Sequence, residues 1–98
     1  MNRIAAISEL RRRAKAIRAL GATSLYVFGS VTRDQAENAS DLDLFIDYGP
    51  DSRFNAFDLV GIKQYLEHEL GVAVDITTRD GLHPMLRADI EQSALRVF

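Results

Sequence analysis

No cysteine occurs among the 98 residues. Disulfides and thiolate metal sites are therefore excluded, and the expectation is a reducing, cytoplasmic setting. Long apolar runs are missing as well. None approaches the roughly 20 residues needed to cross a bilayer, and Met1-Asn2-Arg3-Ile4 opens no extended apolar stretch of the kind a secretory leader requires. A membrane role is not expected. Charge of one sign is also lacking in bulk: the formal net charge is −2, which gives no support to direct nucleic-acid binding.

What is present fits an ordinary globular domain. Apolar residues make up 47% of the chain, a normal fraction for a packed core. The length predicts one domain over residues 1–98, with enough buried surface to fold without staples. Charge is unevenly placed. Arg3, Arg11, Arg12, Arg13, Lys15 and Arg18 precede residue 20, whereas Asp34, Glu37, Asp41, Asp43, Asp47 and Asp51 follow. The basic segment reads first as a solvated helix face, and second as a surface for an acidic partner or a nucleotide.

Periodicity places the elements. Ile4, Ile7, Leu10, Ala14, Ile17 and Leu20 recur in steps of three and four, which predicts one amphipathic helix over 3–20 capped at Gly21. Leu25-Tyr26-Val27-Phe28 reads as a buried strand, and 31–36 as a short helix. Leu42 to Tyr48 alternates as a strand. Asn55, with Asp58 as a capping-box partner, starts a helix marked by Leu59, Ile62, Leu66 and Leu70 and ended by Gly71. Gly61 inside that helix costs about 1 kcal/mol against alanine, so a close packing contact is expected there. A third strand covers 72–77, Asp80-Gly81 turns the chain, and Pro84 begins a last helix running to about Ser93. Residues 94–98 carry no clear assignment. Helices alternating with short strands predict an α/β (α+β) fold with one sheet covered by helices.

Within that frame, Asp41 and Asp43 stand one residue apart at a strand start, so both side chains share a face while Leu42 and Leu44 take the other. Two like charges about 4 Å apart repel by roughly 4 kcal/mol at an effective dielectric of 20. A cation relieves that repulsion, and magnesium suits it because it binds one or two carboxylates and completes its shell with water and phosphate oxygens. Asp75 interrupts an otherwise apolar strand. If the second and third strands are neighbours, it joins the pair. Three carboxylates can hold two metals about 3.5–4 Å apart, and Asp75 can alternatively accept a proton from an incoming hydroxyl. Gly29-Ser30 ends one strand and opens a helix. Glycine there lets phosphate approach the backbone, free N–H groups attract anions, Ser30 adds a hydroxyl, and Arg33 can neutralise triphosphate charge. Taken singly, each piece has a plain structural reading as a turn, a capping motif or a surface charge; the joint pattern carries the inference.

These residues resemble the minimal nucleotidyltransferases of the DNA polymerase β-like superfamily. The resemblance rests on Phe28-Gly29-Ser30-Val31-Thr32-Arg33, the spacer 31–40, Ser40-Asp41-Leu42-Asp43-Leu44, and Asp75 on a later strand. It implies a short mixed sheet flanked by helices. It implies magnesium-dependent transfer of a nucleoside monophosphate with release of pyrophosphate. Asp41, Asp43 and Asp75 would be catalytic and metal-binding, in a two-metal magnesium site. Gly29, Ser30, Arg33 and Ser40 would bind the nucleotide, expected to be ATP. Small stand-alone members resemble antitoxins paired with HEPN-domain ribonuclease toxins, which can transfer AMP to a tyrosine of the toxin. The expected partner is therefore a HEPN-type protein encoded nearby. Two other readings stay open: a non-catalytic module that neutralises a toxin by covering it, and a nucleotidyltransferase acting on a small molecule or an RNA end.

Other residues read as structural. His83 is expected to cap or pack at a helix start, His68 and Lys63 to be solvated, and Asp47 to be a strand-end charge. Tyr26, Tyr48 and Tyr65 read as packing residues. Phe54, Phe57, Met85 and Leu86 read by default as core, and otherwise as an apolar patch for a partner.

Overall fold

A computed structural model describes residues 2–29 and 42–98. Two consecutive helices, α1 (Arg3–Arg12) and α2 (Ala14–Ala19), lead into β1 (Ala22–Phe28). β2 (Leu42–Tyr48), α3 (Ala56–Leu70) and β3 (Val74–Thr78) follow, then a 3-10 turn over Arg79–Gly81, α4 (Arg87–Ser93) and β4 (Leu95–Arg96). The strands form one mixed sheet in the order β3-β2-β1-β4. β1 runs antiparallel to both β2 and β4, whereas β2 and β3 are parallel and joined through α3. The short mixed sheet with flanking helices is the architecture the sequence predicted.

The expected single helix over 3–20 is broken at Arg13. The Arg13 guanidinium donates to the Glu9 carbonyl at 2.8 Å and to the Glu9 carboxylate at 2.7 Å. That carbonyl is the acceptor the Arg13 N–H would use in a continuous helix. The N–H turns instead to the Leu10 carbonyl at 3.1 Å, and the backbone leaves helical dihedrals at φ −105, ψ 11.

α3 matches its expected bounds because both ends are chemically marked. Asn55 accepts from the N–H groups of Phe57 and Asp58, Asp58 accepts from the Asn55 N–H, and Gly71 closes the helix at φ 67. Gly61 departs from expectation: a β-carbon there would meet nothing within 4 Å, so no packing contact explains it. The last helix begins at Arg87 rather than near Pro84. His83 and the residues after it form a turn, in which the Met85 N–H donates to His83 Nδ1 at 3.1 Å. The unassigned C-terminus supplies β4, paired to Tyr26 and Val27. The short helix expected over 31–36 lies outside the described residues.

One face of the sheet carries the main core. Leu25, Val27, Leu42, Leu44, Ile46 and Val74 pack there with Ala6, Leu10, Ile17, Ile62 and Leu66 from the helices. Each fully buried large aliphatic side chain contributes about 1.5–3 kcal/mol. The basic helix face is partly spent on internal contacts: Arg11 donates to the Val97 carbonyl and Arg18 lies over the Phe98 ring. Core burial fails for three of the apolar residues assigned to it. Phe57 is 88%, Met85 85% and Leu86 53% exposed, because they sit at a helix start and in the turn before α4, where nothing packs over them; Phe54 does pack against the core. No helix among the described residues is long and apolar enough to cross a membrane.

Candidate functional site

The other face of the sheet holds the chemistry. β-strand alternation sends Asp43, Phe45 and Asp47 away from Leu42, Leu44 and Ile46. Cross-strand pairing then sets their neighbours. Phe28 stands opposite Asp43 on β1, and Asp75 stands opposite Asp43 on β3. The adjacency of the second and third strands, a condition at the sequence level, is met. Two carboxylates thus face the same way across strands about 4.8 Å apart. Asp43 is half-buried and Asp75 exposed.

Gly29 completes this corner. Its φ is +79, in the left-handed region, and a β-carbon on it would collide with Asp43 Oδ2. Only glycine combines that dihedral with that proximity. The backbone at Gly29 therefore lies directly beside the Asp43 carboxylate. The oxygen-only donors of Asp43 and Asp75 fit a hard cation such as magnesium. Among the described residues no three potential ligands converge; Asp41, the expected third, lies outside them, as do Ser30, Arg33 and Ser40.

Further along the same face of the sheet is a clamp that sequence reasoning missed. Arg79, just past β3, donates to both carboxylate oxygens of Asp47 at 2.8 and 3.0 Å and to Glu91 of α4 at 2.6 Å. Its guanidinium lies 4.9 Å from the Tyr26 ring centroid and 5.0 Å from that of Phe45, and the two rings stack at 4.6 Å. Phe45 is fully buried and also meets Phe28. Asp47 is thus one arm of a clamp rather than a plain strand-end charge. The signal was its shared alternation with Asp43; the partner needed strand register to be found. Hydrogen bonding to Asp47 and then Glu91 holds the Arg79 guanidinium firmly protonated, and Arg79 in turn holds the Glu91 carboxyl below its ordinary range.

The remaining candidates fall where their plain readings put them. Tyr26 packs on Phe45. Tyr48 stacks on Phe54 and donates to Asp80 at 3.2 Å, which pushes its phenol pKa upward. His83 caps the turn before α4, and His68 is exposed on α3.

Comparison with known proteins identifies the domain family and the fold. Residues 7–97 match the family model described as the nucleotidyltransferase domain. A Methanocaldococcus jannaschii protein, provisionally named a protein adenylyltransferase, is 35% identical over 72 residues, covering 74% of this chain and 75% of that protein. A solved structure provisionally described as a minimal nucleotidyltransferase superposes with a TM-score of 0.72 at 35% identity, over 97% of this chain and 95% of that one. A toxin-antitoxin crystal structure with AMP-PNP has a TM-score of 0.74 at 17% identity, over 92% and 72% of the two chains. A tri-AMPylated HEPN toxin from Shewanella oneidensis in complex with its MNT antitoxin gives 0.64 at 14% identity, over 90% and 68%. The last two share the fold.

Proposed function

Because the chain belongs to the nucleotidyltransferase domain family, we propose that it transfers AMP from ATP to a hydroxyl of a partner protein, in a magnesium-dependent reaction, and that the partner is a HEPN-type toxin which it neutralises as an antitoxin. The observation that carries this reading is the Gly29–Asp43–Asp75 corner: two carboxylates in register, with a left-handed glycine against one of them.

In this reading Asp41, Asp43 and Asp75 hold two magnesium ions, which supply positive charge against the triphosphate. The Gly29 backbone, Ser30 and Ser40 would bind phosphate oxygens, with Arg33 compensating charge. The acceptor oxygen bonds to the α-phosphorus, the bond from that phosphorus to the oxygen bridging to the β-phosphate breaks, and pyrophosphate leaves. The hydroxyl proton passes to the Asp75 carboxylate or, where Asp75 is itself a ligand, to water. Three features support AMP and a protein acceptor. A relative carries the name protein adenylyltransferase, a structural neighbour was solved with AMP-PNP, and another pairs an antitoxin with an AMPylated toxin.

The test is incubation of the folded chain with magnesium, ATP labelled at the α-phosphate and the protein encoded beside it. Label should appear on the partner with α-labelled ATP and not with γ-labelled ATP. A partner that stays unlabelled, with both proteins folded, refutes the assignment.

A further inference from the structure

Gly29 has a second neighbour besides Asp43. Together with Phe28 it forms one wall of a cleft of about 330 Å³, whose other wall is Leu86, Asp89, Ile90 and Ser93 from α4 and the residue before it. Clefts that take small ligands span about 300–1,000 Å³. The cleft begins where the carboxylate corner ends, since one glycine borders both.

Its lining is of two kinds. Phe28, Leu86 and Ile90 offer apolar surface, and Leu86 is more than half exposed. Asp89 and Ser93 supply the polar edge; the Ser93 hydroxyl donates to the Asp89 carbonyl at 3.0 Å, which leaves the Asp89 carboxylate as the exposed acceptor. The α4 wall is fixed in place by Arg79, which ties Glu91 to Asp47 of the central strand. A planar, largely apolar group with hydrogen-bond donors on its edge matches this lining.

We propose that this cleft receives the base of the nucleoside triphosphate, and that Asp89 selects bases that present an exocyclic amine. The proposal rests on the nucleotidyltransferase reading of the adjoining corner and adds to it the determinant of base choice. A carboxylate only accepts hydrogen bonds, so at the exocyclic position it favours adenine, which carries an amine donor there, over uracil, which carries a carbonyl oxygen. The ring of Phe28 and the side chains of Leu86 and Ile90 give the base its apolar contact.

Calorimetric titration with magnesium present, using ATP, UTP and inorganic tripolyphosphate, separates the base cleft from the phosphate corner. The wild-type chain should bind ATP more tightly than UTP. Asp89→Asn should narrow that preference by about tenfold, the value of one hydrogen bond to a charged group. Ile90→Trp, which fills the cleft, and Leu86→Trp, at its exposed lip, should each weaken ATP while leaving tripolyphosphate at its wild-type affinity, with circular dichroism confirming the fold. ATP affinity unchanged in both tryptophan variants overturns the proposal. So does unchanged ATP affinity with a raised KM for the protein acceptor, which would give the cleft to the acceptor instead. A wild-type chain that binds neither ATP nor tripolyphosphate fails the corner itself, and the base cleft falls with it; binding of tripolyphosphate with no gain for ATP fails the base cleft alone.

Discussion

Gly29 lies with its backbone against the Asp43 carboxylate, at a left-handed φ of +79 that leaves no space for a β-carbon. The contact joins the end of β1 to the start of β2 at the corner where Asp75 also stands. Gly29→Ala should push the Asp43 carboxylate out of place and strain the backbone by roughly 1–2 kcal/mol. Transfer activity should fall by at least about tenfold, since small misplacements at a reacting centre are costly. Paired melting curves and rate measurements check this; a variant as active as wild type would mean that the contact has no part in the chemistry.

Asp43 and Asp75 face the same space from different positions, one half-buried beside Gly29 and the other exposed. Removing either Asp41 or Asp43 should abolish transfer, because losing one of the three carboxylates leaves too few ligands to hold two metals. Asp75→Asn should lower the rate by about 100-fold or more, in the range of a lost proton acceptor, with a smaller effect on ATP affinity. Equal loss of magnesium–ATP affinity in all three variants would show that Asp75 has no separate role.

Arg79 holds three parts of the structure with one side chain: Asp47, Glu91 and the stacked rings of Tyr26 and Phe45. Arg79→Met keeps the apolar stem but takes the guanidinium from the partly buried Asp47 carboxylate and leaves Glu91 with Arg87 alone. A loss of about 1–3 kcal/mol is expected in chemical denaturation, with α4 loosening first. Faster amide exchange along α4 than along α3 would mark that local effect.

Glu91 also sets a pH dependence. Its carboxyl is held below the ordinary 4.5 mainly by the hydrogen bond from Arg79, with Arg87 adding to it; Glu9 is lowered likewise, chiefly by Arg13. A depressed folded-state pKa stabilises the fold above the unfolded value, and that contribution disappears as pH falls through the folded value. The melting temperature should therefore hold steady from neutral pH down to about 5 and decline below about 4.5. Glu91→Gln should flatten part of the decline, and an unchanged slope in that variant would remove the clamp from the explanation.

Gly61 gives a prediction of the opposite sign. It lies inside α3, and a β-carbon added there would meet no other atom within 4 Å. Gly61→Ala should stabilise the chain by about 0.5–1 kcal/mol, the helix-propensity difference. A loss of stability would reveal a contact at that surface.

Sequence and structure agree best where the signal is local. α3 could be read because Asn55, Asp58 and Gly71 mark both of its ends, and β2 because Leu42, Leu44 and Ile46 alternate with Asp43 and Asp47. The meeting of Asp43 with Asp75 needed only the adjacency of two strands. What escaped the sequence depends on competition or on distant partners. The break at Arg13 arises because a side chain takes a backbone acceptor, which leaves no trace in hydrophobic period. β4 is two residues long and exists through its pairing with β1. The Arg79 clamp requires β2, the turn after β3 and α4 to be placed together. Phe57 and Met85 are apolar by type, yet their exposure is decided by what surrounds them.

The central claim is that Asp43 and Asp75 form a magnesium–nucleotide site at the Gly29 corner. Its most direct test is calorimetric titration of ATP with magnesium and then with the metal chelated, on the wild-type chain and on the Asp43→Asn, Asp75→Asn double variant. The account predicts magnesium-dependent ATP binding by the wild type and at least about a tenfold weaker affinity in the folded double variant. ATP affinity that is indifferent both to magnesium and to the loss of the two carboxylates would contradict it.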